Sequence, residues 1–340
     1  DVKMNLTKKI TLGLIAAGAV SSVSAADLTL TIGHVDPQEW TTSKKGAATE
    51  VFKNLVEAES GGRIEVNVYP SGQLGGETDL VQSAQEGTLS MAMVSGAFAK
   101  VCKEAAVLEI PYLFPSAPIA WEVLDGEFGK ALSQHCLKES GLRTLAYGET
   151  GFRNFTNSKR PVAEPKDMEG LKIRVQTLPL YVEMVKAMGA EPTPIAWPEV
   201  PSALTTGVVD GQENPISVIE ANKFYEFQKY LTLDGHVYGT DFLLMNEDLY
   251  QSLNDEDRAI INRAAKVAGT LGRAVQQFNS AKGLKSLAEN GMVITTPTPS
   301  QMAKFRDAAQ PAVINWLKSE IQSEWIERAQ MSVKVVSNSQ

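Results

Sequence analysis

The chain has 340 residues, of which 43% are hydrophobic and 21% charged, enough for two domains with real cores and unlike a disordered chain. Its formal charge is −8 without a basic cluster, which argues against nucleic acid and anionic membrane surfaces as partners. An anionic ligand stays open, because a desolvated arginine pair at short range overrules a screened mean field.

Residues 4–26 carry Lys8 and Lys9, an apolar run over 10–20, and small residues ending in Ala25 and Ala26. That is the pattern of a secretory signal peptide, too short to span a membrane, with Asp1, Val2 and Lys3 upstream of the start at Met4. Setting residues 1–26 aside leaves 29 basic and 39 acidic side chains, a charge near −10, on a chain expected in the periplasm.

Residues 28–35 alternate as a first strand, with His34 and Asp36 at its carboxyl end. A helix with Ala48, Val51, Phe52, Leu55 and Val56 on one face is closed by Gly61 and Gly62. Residues 63–70 form a second strand, and the loop SGQLGGE precedes a helix carrying Leu80, Val81 and Ala84. That loop lacks the spacing of a phosphate-binding loop. Residues 90–98 read as a buried third strand opening onto Ser95 and Gly96, which leave room for a ligand or for a turn. This order suggests a doubly wound α/β domain. Helices over 119–124 and 128–137 and a strand over 143–149 follow. Arg153 and Asn154 then fall in a polar, loop-like connection, a candidate hinge between two α/β units.

In the second unit, GLKIRV alternates Leu171, Ile173 and Val175 against Lys172 and Arg174 and runs into a helix ending near Gly189. Arg174 therefore sits near the carboxyl end of its strand, where open α/β sheets bind ligands. A guanidinium fork there suits a carboxylate, the alternative being a surface arginine that is solvated or paired with an acidic neighbour. A helix spans 198–207, and in DGQENP Pro215 holds Asn214 extended at the end of a short strand. A helix over 218–227, a strand over 230–233, a long helix from Asn254 past Leu287 and a strand over 291–297 complete the pattern, with helix beyond.

Cys102 and Cys136 are the two cysteines. Export permits one bridge, worth about 3 to 4 kcal/mol for a loop of this length, and two buried thiols are the alternative. The three histidines, His34, His135 and His236, have no ligand-spaced partners, and no nucleophile elbow is present. No metal, cofactor or catalytic residue is expected. His135 reads as packing, whereas His34 and His236 lie at strand ends where a ligand could touch them.

The segment 148–238, with AVLEIPYLF and YPSGQLGGE before it, resembles the periplasmic solute-binding subunits of TRAP transporters, the DctP-type family. The resemblance implies an α/β, two-domain periplasmic-binding-protein-like fold with a ligand cleft between the lobes and a long carboxyl-terminal helix spanning the hinge. Domain I would hold residues 27–150 plus about 240–279, and domain II residues 151–239 plus about 280–335. It implies no enzyme but a monomeric receptor that closes on a small organic acid and delivers it to membrane permease subunits. Arg174 matches the arginine that grips the ligand carboxylate from two prongs, Arg153 a second arginine, and Asn214 the amide beside them. Trp197 stands where the family often has phenylalanine, as a pocket wall or as a core aromatic. Glu77 and Asp241 are candidates for the variable end of the ligand, with Ser95 and His34 near it, although Glu77 also suits the first turn of its helix. A sulfonate, an ectoine-like zwitterion, a periplasmic enzyme and a sensor partner on the same scaffold remain alternatives.

Overall fold

The computed structural model describes residues 26–339, so the signal-peptide segment, apart from Ala26, lies outside the described residues. The elements in order are β1 (Leu28–Gly33), α1 (Lys44–Glu59), β2 (Ile64–Tyr69), α2 (Glu77–Glu86), β3 (Met91–Val94), α3 (Ala117–Asp125), α4 (Glu127–Ser140) and β4 (Leu142–Asn157). They continue with β5 (Lys172–Val175), α5 (Pro179–Ala187), β6 (Glu191–Pro194), α6 (Val200–Thr205), β7 (Gly211–Asn214), α7 (Ile216–Ala221) and β8 (Tyr230–Asn246). Then come α8 (Glu247–Ser252), α9 (Asp255–Glu289), β9 (Val293–Thr295), α10 (Pro299–Glu320) and α11 (Ser323–Ser339). No described helix is long and apolar enough to cross a membrane.

One sheet runs β2-β1-β3-β8-β4-β7-β5-β6, with β9 added beside β8. Its two halves share the long antiparallel pair β4 and β8. The carboxyl-terminal part of β8, Phe242 to Met245, pairs with β3, while its start, Tyr230 to Thr232, pairs with β9. The end of β4, Asn154 to Asn157, pairs with β7. The ladder between β4 and β8 shifts register three times, the last where Phe155 pairs with Thr232 although Arg153 pairs with Val237.

Two expectations are corrected here. Arg153 and Asn154 lie inside β4, not in a loop, and β8 is a single strand rather than a short strand and a separate segment. Gly148, Gly151, Gly235 and Gly239 interrupt the alternation that marks a strand, and the polar residues between them are buried with partners far along the chain. Gly151 takes φ +100°, and a Cβ there would come within 2.8 Å of Gln276 on α9. That glutamine donates to the Thr150 carbonyl and accepts from Ser217, so the long helix is bonded to both the β4 crossing and α7.

Ile32, Phe52, Val66, Met91 and Ile261 pack between the first half of the sheet and α1 and α9. Val200, Leu204, Phe224, Leu231 and Leu287 form a smaller core in the second half. A third core is continuous across both, from Leu80 and Val107 to Tyr181 and Phe305. The chain doubles back at α11: Trp325 packs edge-on against Phe128 of α4, and α11 lies along α3. A disulfide joins Cys102 to Cys136 across 5.3 Å between Cα atoms, the first of the two states the sequence permits.

Candidate functional site

The carboxyl ends of β1, β3, β5 and β7 converge with the β4 crossing on one cavity of about 90 Å³. It is lined by Arg174, Arg153, Asn214 and Trp197 on one side, and by Lys44, Lys45, Asp36, Glu77, Ser95 and Thr150 on the other. The lobes meet at its mouth, where Thr78 Oγ1 lies 3.3 Å from Thr177 Oγ1.

Arg174 sits one residue before the end of β5, and its side chain is 3% exposed. Its Nε donates to the Ile195 carbonyl at 2.9 Å, and its guanidinium lies 5.5 Å from the centre of the Trp197 ring. Among the described residues no carboxylate pairs with it, and neither terminal nitrogen makes a hydrogen bond. Burial lowers its pKa to about 10, a measure of how poorly its charge is solvated, yet it stays cationic at neutral pH. Trp197 also packs on Phe224, so it is both pocket wall and core aromatic.

Arg153 is the opposite case. Its Nε and one terminal nitrogen hold both oxygens of Glu213, at 2.5 and 2.8 Å, and that nitrogen also reaches the Glu213 carbonyl. Glu213 bonds His236 Nε2 at 2.8 Å, and Asp234 bonds His236 Nδ1 at 2.8 Å. The second arginine is thus locked in place by a buried carboxylate, with its remaining nitrogen left for the cavity. Asn214 uses one of its two amide hydrogens on Gln212 at 2.7 Å, which leaves the second amide N–H and the amide oxygen without a hydrogen-bond partner among the described residues.

This network has a pH signature. Burial would lower the His236 pKa, but the Asp234 and Glu213 carboxylates outweigh it and hold the imidazole up at about 9. A base raised on folding stabilises the protein fully below its unfolded value of 6.5 and loses that contribution as pH rises through 9. Burial raises the nearby Glu109 from 4.5 to about 7, so the stability it costs accrues between those values and adds no slope above them. The melting temperature is therefore expected to fall between pH 7 and 9. His236→Gln should flatten that part of the profile; a variant keeping the wild-type slope would remove His236 as its cause.

Of the eight candidate residues, six line the cavity: Arg174, Arg153, Asn214, Trp197, Glu77 and Ser95. Asp241 does not; it stands behind Ser95 and Thr150, accepting from their hydroxyls at 2.6 and 2.5 Å. His34 is also set back, bonded to Gln38 at 2.8 Å and lowered by burial to about 4, hence neutral. His236 lies within β8, in the network beneath Arg153. Sequence reasoning missed Lys44 and Lys45. Both are buried at the first turn of α1 behind the Ser43 cap, where the helix dipole disfavours cations. Two adjacent lysines just after a capping serine were the available signal.

Residues 32–319 match the model of the bacterial extracellular solute-binding proteins, family 7. The chain belongs to this DctP-type family of TRAP solute-binding proteins. The receptor is 38% identical over 288 residues to a solute-binding protein of Verminephrobacter eiseniae, covering 84% of this chain and 85% of that one. It is similar to a TRAP periplasmic solute-binding protein from Bordetella bronchispeptica, whose ligand density is assigned to pantoate (36% identity, TM-score 0.83, 89% of this chain and 98% of that one). It is also similar to the sugar acid binding protein DctPAm of Advenella mimigardefordensis in complex with galactonate (31% identity, TM-score 0.86, 91% and 98%). The family is one of transport receptors, not enzymes; its TRAP members bind small organic acids and work with membrane permease subunits.

Proposed function

We propose that the carboxylate of a small organic acid, with sugar acids foremost, is held in this cavity by Arg174, Arg153 and Asn214, with Trp197 as the wall beside it. One observation carries the reading: Arg174 is a buried guanidinium at the carboxyl end of a strand, aimed into a cavity, with no carboxylate of its own. A desolvated cation of that kind is unfavourable unless an anion joins it, so the free energy of the site favours a bound acid. The pantoate and galactonate named for the two similar structures are hydroxy acids, which supports the same class. The receptor is exported behind the segment 4–26, acts as a monomer without nucleic acid, and closes its two lobes, 27–150 with about 240–279 and 151–239 with about 280–335, around the ligand.

A thermal-shift panel of sugar acids, short dicarboxylates, keto acids, sulfonates and ectoine on the mature protein tests this. A ligand that binds only the folded state raises the midpoint, by about 2.7 kcal/mol of added stability at a hundred times Kd. Shifts confined to acids are the expected result; shifts with ectoine or with sulfonates alone would replace the carboxylate reading.

A further inference from the structure

The wall opposite Arg174 carries its own charge pattern. Lys45 Nζ lies 2.5 Å from Glu77 Oε1, 3.0 Å from Ser95 Oγ and 3.9 Å from Asp241 Oδ1. Lys44 Nζ lies 2.7 Å from Asp36 Oδ2 and 3.9 Å from Asp241 Oδ2. Glu77 further accepts from the Ser95 backbone N–H through both oxygens, each at 3.0 Å. Three carboxylates, Asp36, Glu77 and Asp241, thus face two ammonium groups, a net charge of −1, and both lysine side chains are no more than 4% exposed. Asp79, which also lines the cavity, adds negative charge at the exposed rim.

Each ammonium is already held by a nearer carboxylate. A second ligand carboxylate reaching this wall would compete with Asp36 and Glu77 for the same donors and meet uncompensated negative charge at short range, in a site where screening is weak. A cationic group would meet Lys44 and Lys45. A hydroxyl meets neither obstacle: it donates to a carboxylate oxygen and accepts from an ammonium at once, and these groups alternate along the wall.

We propose that this wall reads the hydroxyl groups at the far end of the ligand and rejects a second carboxylate, so that the receptor takes polyhydroxy monocarboxylates and discriminates against their dicarboxylate counterparts. The proposal rests on the assignment of the first carboxylate to Arg174. Glu77 and Lys45 are its specificity-determining pair, and Asp36 with Lys44 widens the same surface.

The test is calorimetry on the purified mature protein with matched pairs that differ only in oxidation of the terminal hydroxymethyl group: galactonate and galactarate, gluconate and glucarate, erythronate and tartrate of the same configuration, with ectoine alongside. At least one monoacid is expected to bind, with its diacid weaker by about 30-fold or more. Glu77→Gln, which removes one negative charge from the wall and frees the Lys45 ammonium, is expected to shrink that ratio at least fivefold. A diacid binding as tightly as its monoacid overturns this inference and leaves the Arg174 reading standing. Binding of ectoine in preference to every acid overturns the hydroxyl assignment. If no monoacid and no diacid binds, the carboxylate site itself fails, and this proposal with it.

Discussion

Arg174→Ala is expected to weaken binding of every acid the receptor takes by about 100-fold or more, while leaving the unliganded protein at least as stable as the wild type. The two effects have one cause. The guanidinium offers two terminal nitrogens to a carboxylate in a cavity shielded from water, and charge-assisted bonds there contribute about 1.5 to 3 kcal/mol each. Without ligand, the same group is a buried cation that among the described residues touches only the Ile195 carbonyl and the Trp197 face, with Glu213 and Glu77 acting on it from farther off; burial still outweighs them, so its removal relieves a desolvation penalty. Arg174→Lys keeps the charge but loses the planar fork and should fall between the two. Calorimetry and thermal melts of the three proteins check this. Unchanged affinity in the alanine variant would remove Arg174 from the site, and a large drop in the unliganded melting temperature would make it a structural residue.

Glu213→Gln is expected to have the largest effect on stability, a loss of about 3 to 5 kcal/mol. Glu213 is fully buried and lies against both Arg153 and His236 at hydrogen-bond distance. Burial would raise its pKa, yet Arg153 and His236 hold it down at about 2, so at neutral pH it is the anion shared by two buried cations, with Asp234 as the second partner of His236. The amide keeps the shape and removes the charge, which leaves Arg153 and a protonated His236 without their shared carboxylate beside an already unpaired Arg174. A fall in melting temperature of roughly 5 to 8 °C is the scale to expect for a chain of this size. Replacing Arg153 with glutamine in the same background should recover part of the loss, because the uncompensated cation goes with it. Additive losses in the double variant would contradict the ion-pair account.

The contrast between the two arginines explains what could be read in advance. KIRV announces its own strand, and its position before a helix start puts Arg174 at the carboxyl end of that strand, where the cavity lies; both are local properties of a few residues. Asn214 was legible for the same reason, since Pro215 restricts it to an extended conformation. Glu213, the neighbour of Asn214, gave no such signal. Its partner Arg153 is 60 residues away in the chain and joins it only through the pairing of β4 with β7.

Lys44 and Lys45 show the same limit from the other wall. Next to a capping serine they read as a solvated helix start, and nothing local indicates that Glu77 and Asp241 will come within 4 Å. His34 and Asp241 show the reverse: the first chosen from its place at a strand end, the second from the family resemblance, both lie one layer behind the cavity surface.

Local patterning in the sequence therefore determined the order of elements, the strand ends that carry Arg174 and Asn214, the long α9 with its Asn254 cap, and the family to which the receptor belongs. Which charges face one another was decided by the tertiary structure. The pairing of β4 with β7 brings Arg153 to Glu213 and that of β4 with β8 brings Thr150 to Asp241, and hydrogen bonding between strands remote in sequence leaves no periodic trace in either strand alone.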